Sequence, residues 1–159
     1  MSEQTETRLK ASGKEGANIY DLIKQDHKDV KKLFKQIVDS EKYDDNVYLQ
    51  IKKALTVHMQ GEEKLFYPRL ENNEETHQLV LESYEEHDVG KQIMTDIDMS
   101  NKSEDDRMYA KVKVLSEAID MHIKEEENDL FKKAKKVLSH DDEHEIGRLF
   151  EQEKMAAMK

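Results

Sequence analysis

Four histidines and two glutamates fall where helices of this chain need apolar residues. His27 sits among Tyr20, Ile23, Val30 and Phe34, and His58 with Glu62 interrupts Ile51, Leu55 and Leu65. His87 follows Val80 and Tyr84, and His122 with Glu126 interrupts Leu115, Ile119 and Leu130. Steps of three and four residues align side chains on one helical face, the face that packs inward. A buried polar group without a partner costs roughly 1 to 3 kcal/mol, and a domain is stable by only about 5 to 15 kcal/mol. Six such groups need a common partner. Pairing of the glutamates with the histidines is one arrangement. A metal centre is another, since imidazole nitrogens and carboxylate oxygens ligate iron, manganese or zinc, and the binding energy offsets desolvation. The i, i+4 spacing of His58 to Glu62 and of His122 to Glu126 puts each pair one turn apart on one face.

The pattern occurs twice. "ALTVHMQGEEKLFYP" (54–68) aligns without gaps over "AIDMHIKEEENDLFK" (118–132), matching Ala, His, the Glu-Glu pair and two apolar positions after it. "DHKDVKKLF" (26–34) aligns less strictly over "EHDVGKQIM" (86–94). Each half thus supplies a histidine and then His-x-x-x-Glu. Two halves related by an approximate two-fold would face each other as half-sites for two metals bridged by two carboxylates.

The elements that must carry these residues are helices. Five glycines, one proline and 39% charged residues favour long solvated helices over strands and turns. The first helix starts near Asn18 and ends in "DSEKYDDN"; the second, carrying Val47, Ile51 and Leu55, stops near Pro68. The third carries Val80, Tyr84, Met94 and Ile97. For the fourth, with Met108, Val112, Leu115 and Ile119, Ser103 and Asp106 resemble a capping box. Ser139 reads as the N-cap of a short closing helix with Ile146, Leu149 and Phe150 on its apolar face. The expected fold is all-α: an up-down-up-down four-helix bundle over residues 18–151 with a short fifth helix, a disordered N-terminal tail at 1–17 and a C-terminal tail at 152–159.

Composition narrows the chemistry. A formal net charge of −10, with lysines interleaved among acids, disfavours nucleic acid and anionic membrane as partners. The absence of cysteine excludes disulfides, iron–sulfur clusters and thiol nucleophiles. No apolar run has the length of a signal peptide or a membrane span, so the expected location is cytoplasmic.

The order His27, His58-x-x-x-Glu62, His87, His122-x-x-x-Glu126 resembles the hemerythrin-like (HHE cation-binding) family, over roughly residues 18–151. The resemblance implies two iron ions with a bridging oxo or hydroxo group, Glu62 and Glu126 as bridging carboxylates and the four histidines as terminal ligands. Oxygen-carrying hemerythrins resemble this pattern but have a fifth histidine where this chain has Ser83, and an aspartate where it has Glu127. The resemblance then implies one open position per iron for dioxygen, nitric oxide or peroxide. The implied role is sensing, redox protection or iron handling; the alternatives are a peroxide- or NO-consuming enzyme and a metal-dependent interaction or iron-sensing module. Ferritin-like Glu-x-x-His spacing occurs only at Glu74 to His77, and His-Glu-x-x-His is absent.

Other candidates have simpler readings. His77 reads as a solvated or capping residue, and His140 with His144 as a surface helix start. Among Glu63, Glu125 and Glu127, one is a candidate to orient a metal-bound imidazole, the rest being solvated. Tyr20 and Tyr84 either fill the core or turn a hydroxyl to a bound ligand, and Gly90 either makes room beside the metals or serves helix packing.

Overall fold

The computed structural model describes residues 17–158, all helix and short connections. Helix α1 is Ile19–Val38, and Asn18 caps it by accepting a hydrogen bond from the Asp21 N–H at 3.0 Å. Helix α2 is Asp45–Gly61, capped by Asp44, and continues as a π turn at Glu62–Phe66 and a 3-10 turn at Tyr67–Arg69 that contains Pro68. Helix α3 is His77–Asp98. Helix α4 begins as Asp105–Glu125, passes through a second π turn at Glu126–Leu130 and continues as Phe131–Val137. Helix α5 is His140–Ala157. The four long helices form an up-down-up-down bundle, and α5 packs across α1 and α2 at one end.

Two expectations are corrected. Ser103 does not cap α4: its N–H and hydroxyl both donate to Asn101 Oδ1, which closes a turn there, and the helix starts at Asp105 after Glu104. The fifth helix is not short, since α5 runs through most of the stretch read as a C-terminal tail. Ser139 does cap it, in a full capping box with Asp142. The N-terminal tail lies outside the described residues except for Ala17.

The core has two apolar layers. One holds Phe34, Ile37, Ile51, Leu55, Met108 and Leu115 at the far end of the bundle. The other holds Ile19, Ile23, Phe66, Val80, Phe131, Ile146 and Phe150 beneath α5. Between them, at one level of all four helices, lies a polar layer. Two glycines set the approach of α5. A Cβ on Gly61 would stand 2.7 Å from the Phe150 ring, and one on Gly147 would stand 2.0 Å from the Ala17 carbonyl oxygen.

Candidate metal centre

The polar layer consists of His27 on α1, His58 and Glu62 on α2, His87 on α3, and His122 and Glu126 on α4, each at most 7% exposed. Ligand-capable atoms of His27, His58, Glu62 and Glu126 lie within 4.8 Å of one another, as do those of Glu62, His87 and His122. The rings pair within each half, His27 with His58 at 4.9 Å and His87 with His122 at 4.8 Å between centroids. All six residues singled out from the sequence meet in one place.

Every imidazole turns Nε2 inward and Nδ1 outward, and every Nδ1 meets a carboxylate. His27 Nδ1 lies 2.6 Å from Glu127, His58 Nδ1 2.8 Å from Asp26, His87 Nδ1 2.7 Å from Glu63 and His122 Nδ1 2.7 Å from Glu86. Each contact joins neighbouring helices, so the four close a ring around the bundle. An acceptor behind Nδ1 selects the tautomer with the proton there and leaves the Nε2 lone pair facing inward. The inward lone pairs then face other acceptors. His58 Nε2 is 3.1 Å and His87 Nε2 3.2 Å from Glu62 Oε1, while His27 Nε2 is 3.1 Å from Glu126 Oε1. The Nε2 atoms of His27, His58 and His122, both Glu62 oxygens and Glu126 Oε1 are buried without a hydrogen-bond partner. Acceptors converging on acceptors require a cation or protons between them, so the donor set fits metal ions.

Protons take that place in the metal-free chain. Burial works to depress His58, but the Glu62 charge and the hydrogen bonds to Asp26 and Glu62 push it up to about 10. His122 is likewise raised against burial by Glu126 and Glu86, and His87 by Glu62 and Glu63. Burial tends to raise Glu126, yet the His122 charge and bonds to His122 and His27 hold it well below the ordinary carboxylate range. The outer carboxylates differ in backing. Lys154 of α5 donates to Asp26, and Lys91 donates to Glu63 at 3.0 and 3.1 Å. Glu86 instead shares a hydrogen bond with Glu125, which pushes Glu125 up to about 7.

Of the flanking acids, Glu63 and Glu127 both orient imidazoles, where only one acid was expected to. Asp26 and Glu86 were missed, although "DH" at 26–27 and "EH" at 86–87 is itself a repeated pair. Tyr67 was missed as well. Its hydroxyl donates to Glu126 Oε2, lies 3.2 Å from His87 Nε2 and borders Ser83, so it occupies the side that the small Ser83 leaves free. Burial and the charges of Glu126 and Glu62 hold its proton on. Its two-fold counterpart is Phe131, which makes the layer asymmetric. On the opposite side a cavity of about 10 Å³, about the room of one water, is walled by Val30, Leu55, Met59, Ile119 and Ile123 beside the histidines. A Cβ on Gly90 would lie 3.2 Å from Met59 Cε and 3.3 Å from Ile119 Cδ1, within this wall.

The remaining candidates stay outside the layer. His77 opens α3 and holds the Glu71 carbonyl through Nδ1 at 2.6 Å. His140 is exposed beside Glu143, and neither it nor His144 joins the cluster. Tyr20 packs on Phe66 and Phe131, with its hydroxyl toward Glu143.

The sequence matches the Hemerythrin HHE cation binding domain over residues 18–134. A DNA nickase from Nostoc sp. is 30% identical over 126 residues, covering 76% of this chain and 34% of the nickase, so the chain spans about a third of that relative's length. The crystal structure of a hemerythrin HHE cation-binding domain-containing protein from Mycobacterium kansasii is similar in fold. Its TM-score is 0.74 at 20% identity, over 89% of this chain and 90% of that one. No described helix is long and apolar enough to cross a membrane.

Proposed function

This chain belongs to the hemerythrin HHE cation-binding family, and from that premise we propose that its polar layer holds two iron ions bridged by an oxo or hydroxo group. His27, His58, His87 and His122 are the terminal ligands and Glu62 and Glu126 the bridges. The function is binding or reduction of a small oxygen or nitrogen species, dioxygen, peroxide or nitric oxide, in sensing, redox protection or iron handling. One observation carries the reading: inward nitrogens of His27, His58 and His122 converge with both Glu62 oxygens and Glu126 Oε1 without hydrogen-bond partners, while each of the four imidazoles is braced from behind by a carboxylate.

Bound iron supplies a redox-active Lewis acid. The chain supplies the rest. The carboxylate ring fixes the four ring planes and raises ligand basicity. The apolar walls of the narrow cavity keep bulk water from the site and leave beside the histidines about the room of one water. Tyr67 keeps a hydroxyl proton inside the cluster, bonded to Glu126, available to an oxygen atom arriving beside it. DNA chemistry is not carried over from the longer Nostoc relative, since a charge of −10 opposes approach to phosphates.

Iron analysis with an absorption spectrum tests the assignment. Protein expressed with iron should carry about two iron ions per chain and show oxo-to-iron charge-transfer absorption in the near ultraviolet. Less than one iron per chain with no such band rejects it. The internal hydroxyl of Tyr67 favours a second reading, consumption of peroxide rather than binding alone. Turnover of peroxide under limiting protein supports that reading, and a single stoichiometric reaction refutes it.

A further inference from the structure

Tyr67 leads out of the cluster. Its ring meets Tyr84 edge to face, with centroids 5.3 Å apart and an interplanar angle of 79°. Tyr84 is half-buried, with Glu71 bordering its hydroxyl. The chain contains no tryptophan and no cysteine, so tyrosine is its most readily oxidised aromatic residue. Tyr67 also touches Phe66, at 5.8 Å, which contacts Tyr20 at 6.1 Å. That branch passes through a phenylalanine, which resists oxidation, and ends at Tyr20, which is 2% exposed. Tyr43, Tyr48 and Tyr109 belong to the far apolar layer. Only the branch through Tyr84 links the metal centre to solvent by adjacent tyrosines.

We infer that Tyr67 and Tyr84 form an electron relay, through which a small one-electron reductant of the enediol class, such as ascorbate, returns electrons from the surface to the metal centre after its oxidation by peroxide. The inference rests on the iron assignment above. Peroxide takes two electrons and two protons at the centre to become two waters, and the relay restores the electrons one at a time. Tyr67 gives an electron to the centre and its phenolic proton to Glu126, the acceptor it already faces. Tyr84 then gives an electron to the Tyr67 radical and a proton to Glu71, while Tyr67 recovers its own proton from Glu126. The enediol gives Tyr84 a hydrogen atom, Glu71 releases to water the proton it took, and one proton per electron enters the centre from water, so that two turns supply the two electrons and two protons peroxide consumes. The asymmetry of the layer suits this path, since Phe131 at the position equivalent to Tyr67 has no hydroxyl to lose.

The test treats the full-length iron-loaded chain with hydrogen peroxide, with and without ascorbate. The readouts are tyrosyl radical by electron paramagnetic resonance, using ring-deuterated tyrosine for assignment, and dityrosine cross-links mapped by mass spectrometry. Tyr84→Phe is the decisive variant, because it keeps the ring contact and leaves the cluster untouched; its iron content and absorption spectrum should equal the wild type. Without ascorbate, the wild type should form cross-links at Tyr84, and Tyr84→Phe should lose them. With ascorbate, the wild-type radical should vanish, whereas in Tyr84→Phe a radical should persist on buried Tyr67. Tyr109→Phe should behave as wild type throughout. A radical and cross-link unchanged in Tyr84→Phe overturns the relay while leaving the iron assignment intact. A wild type that takes up no iron, or whose iron does not react with peroxide, overturns both.

Discussion

The four carboxylates behind the histidines hold the imidazoles of the proposed metal site in place. Such partners typically account for 10- to 100-fold in metal affinity, so Asp26→Asn and Glu63→Gln should each weaken iron binding by about 10- to 100-fold. Glu126→Ala should abolish iron retention outright. Competition with a chelator of known affinity separates these outcomes. The raised histidines also make the metal-free chain sensitive to pH in a definite sense. A group held up from 6.5 to about 10, as His58 is, contributes stability that is complete below pH 6.5 and lost as pH rises through 10. Glu126, held below its usual 4.5, contributes stability above pH 4.5 that is lost as pH falls through its depressed value. The metal-free Tm should therefore be highest between these limits and decline toward pH 10, whereas iron-loaded protein, in which metal replaces those protons, should lack the alkaline decline. A flat metal-free profile contradicts the protonated pairs.

At the scale of elements, the two π turns and α5 do most to shape the site. Each π turn starts at a glutamate of the polar layer and inserts one residue, with the Tyr67 N–H bonding back to the Glu62 carbonyl and the Phe131 N–H to that of Glu126. The insertion moves the buried pair after Glu62 from Leu65 and Phe66 to Phe66 and Tyr67, and so brings the Tyr67 hydroxyl inward. Helix α5 closes this end of the bundle. Phe150 stands edge-on to His58 at 6.1 Å between centroids, and Lys154 holds Asp26. Loosening α5 should therefore reach the metal. Gly61→Ala, which drives a methyl into the Phe150 ring, should cost about 1 to 3 kcal/mol of stability and also reduce iron affinity. Ser139→Ala, which removes the capping box far from His58, should cost about 1 kcal/mol and leave iron affinity unchanged. Thermal unfolding with parallel iron titrations checks both.

For the whole molecule, a polar layer between two apolar layers should couple metal occupancy to folding. The outer ring of imidazole–carboxylate contacts already joins the four helices, and a shared cation would add a second tie at the centre, where without one each inward pair depends on a proton. Iron loading should raise Tm, more so as free metal increases, and removal by chelation should lower it, as followed by helical circular dichroism. A chain equally stable with and without metal would contradict this coupling and weaken any role as an iron-responsive interaction module.

The sequence by itself determined the helices, their order and the six inward residues. A stripe with steps of three and four encodes which face is buried, and His or Glu on that face needs no coordinates to be conspicuous. The repeat of 54–68 over 118–132 further indicated two equivalent halves. Only the tertiary structure decided what meets what across the bundle. Asp26 and His58 are 32 positions apart and His27 and Glu127 are 100 apart, and Asp26 and Glu86 lie beside the stripe, where most acids face water. Which of them turns onto a neighbour's imidazole depends on helix adjacency and rotation, which no periodicity carries. Tyr67 was hidden for a related reason. One extra residue in a helical turn rotates everything after it by about 100°, and nothing in "EEKLFYP" announces that the backbone will admit it.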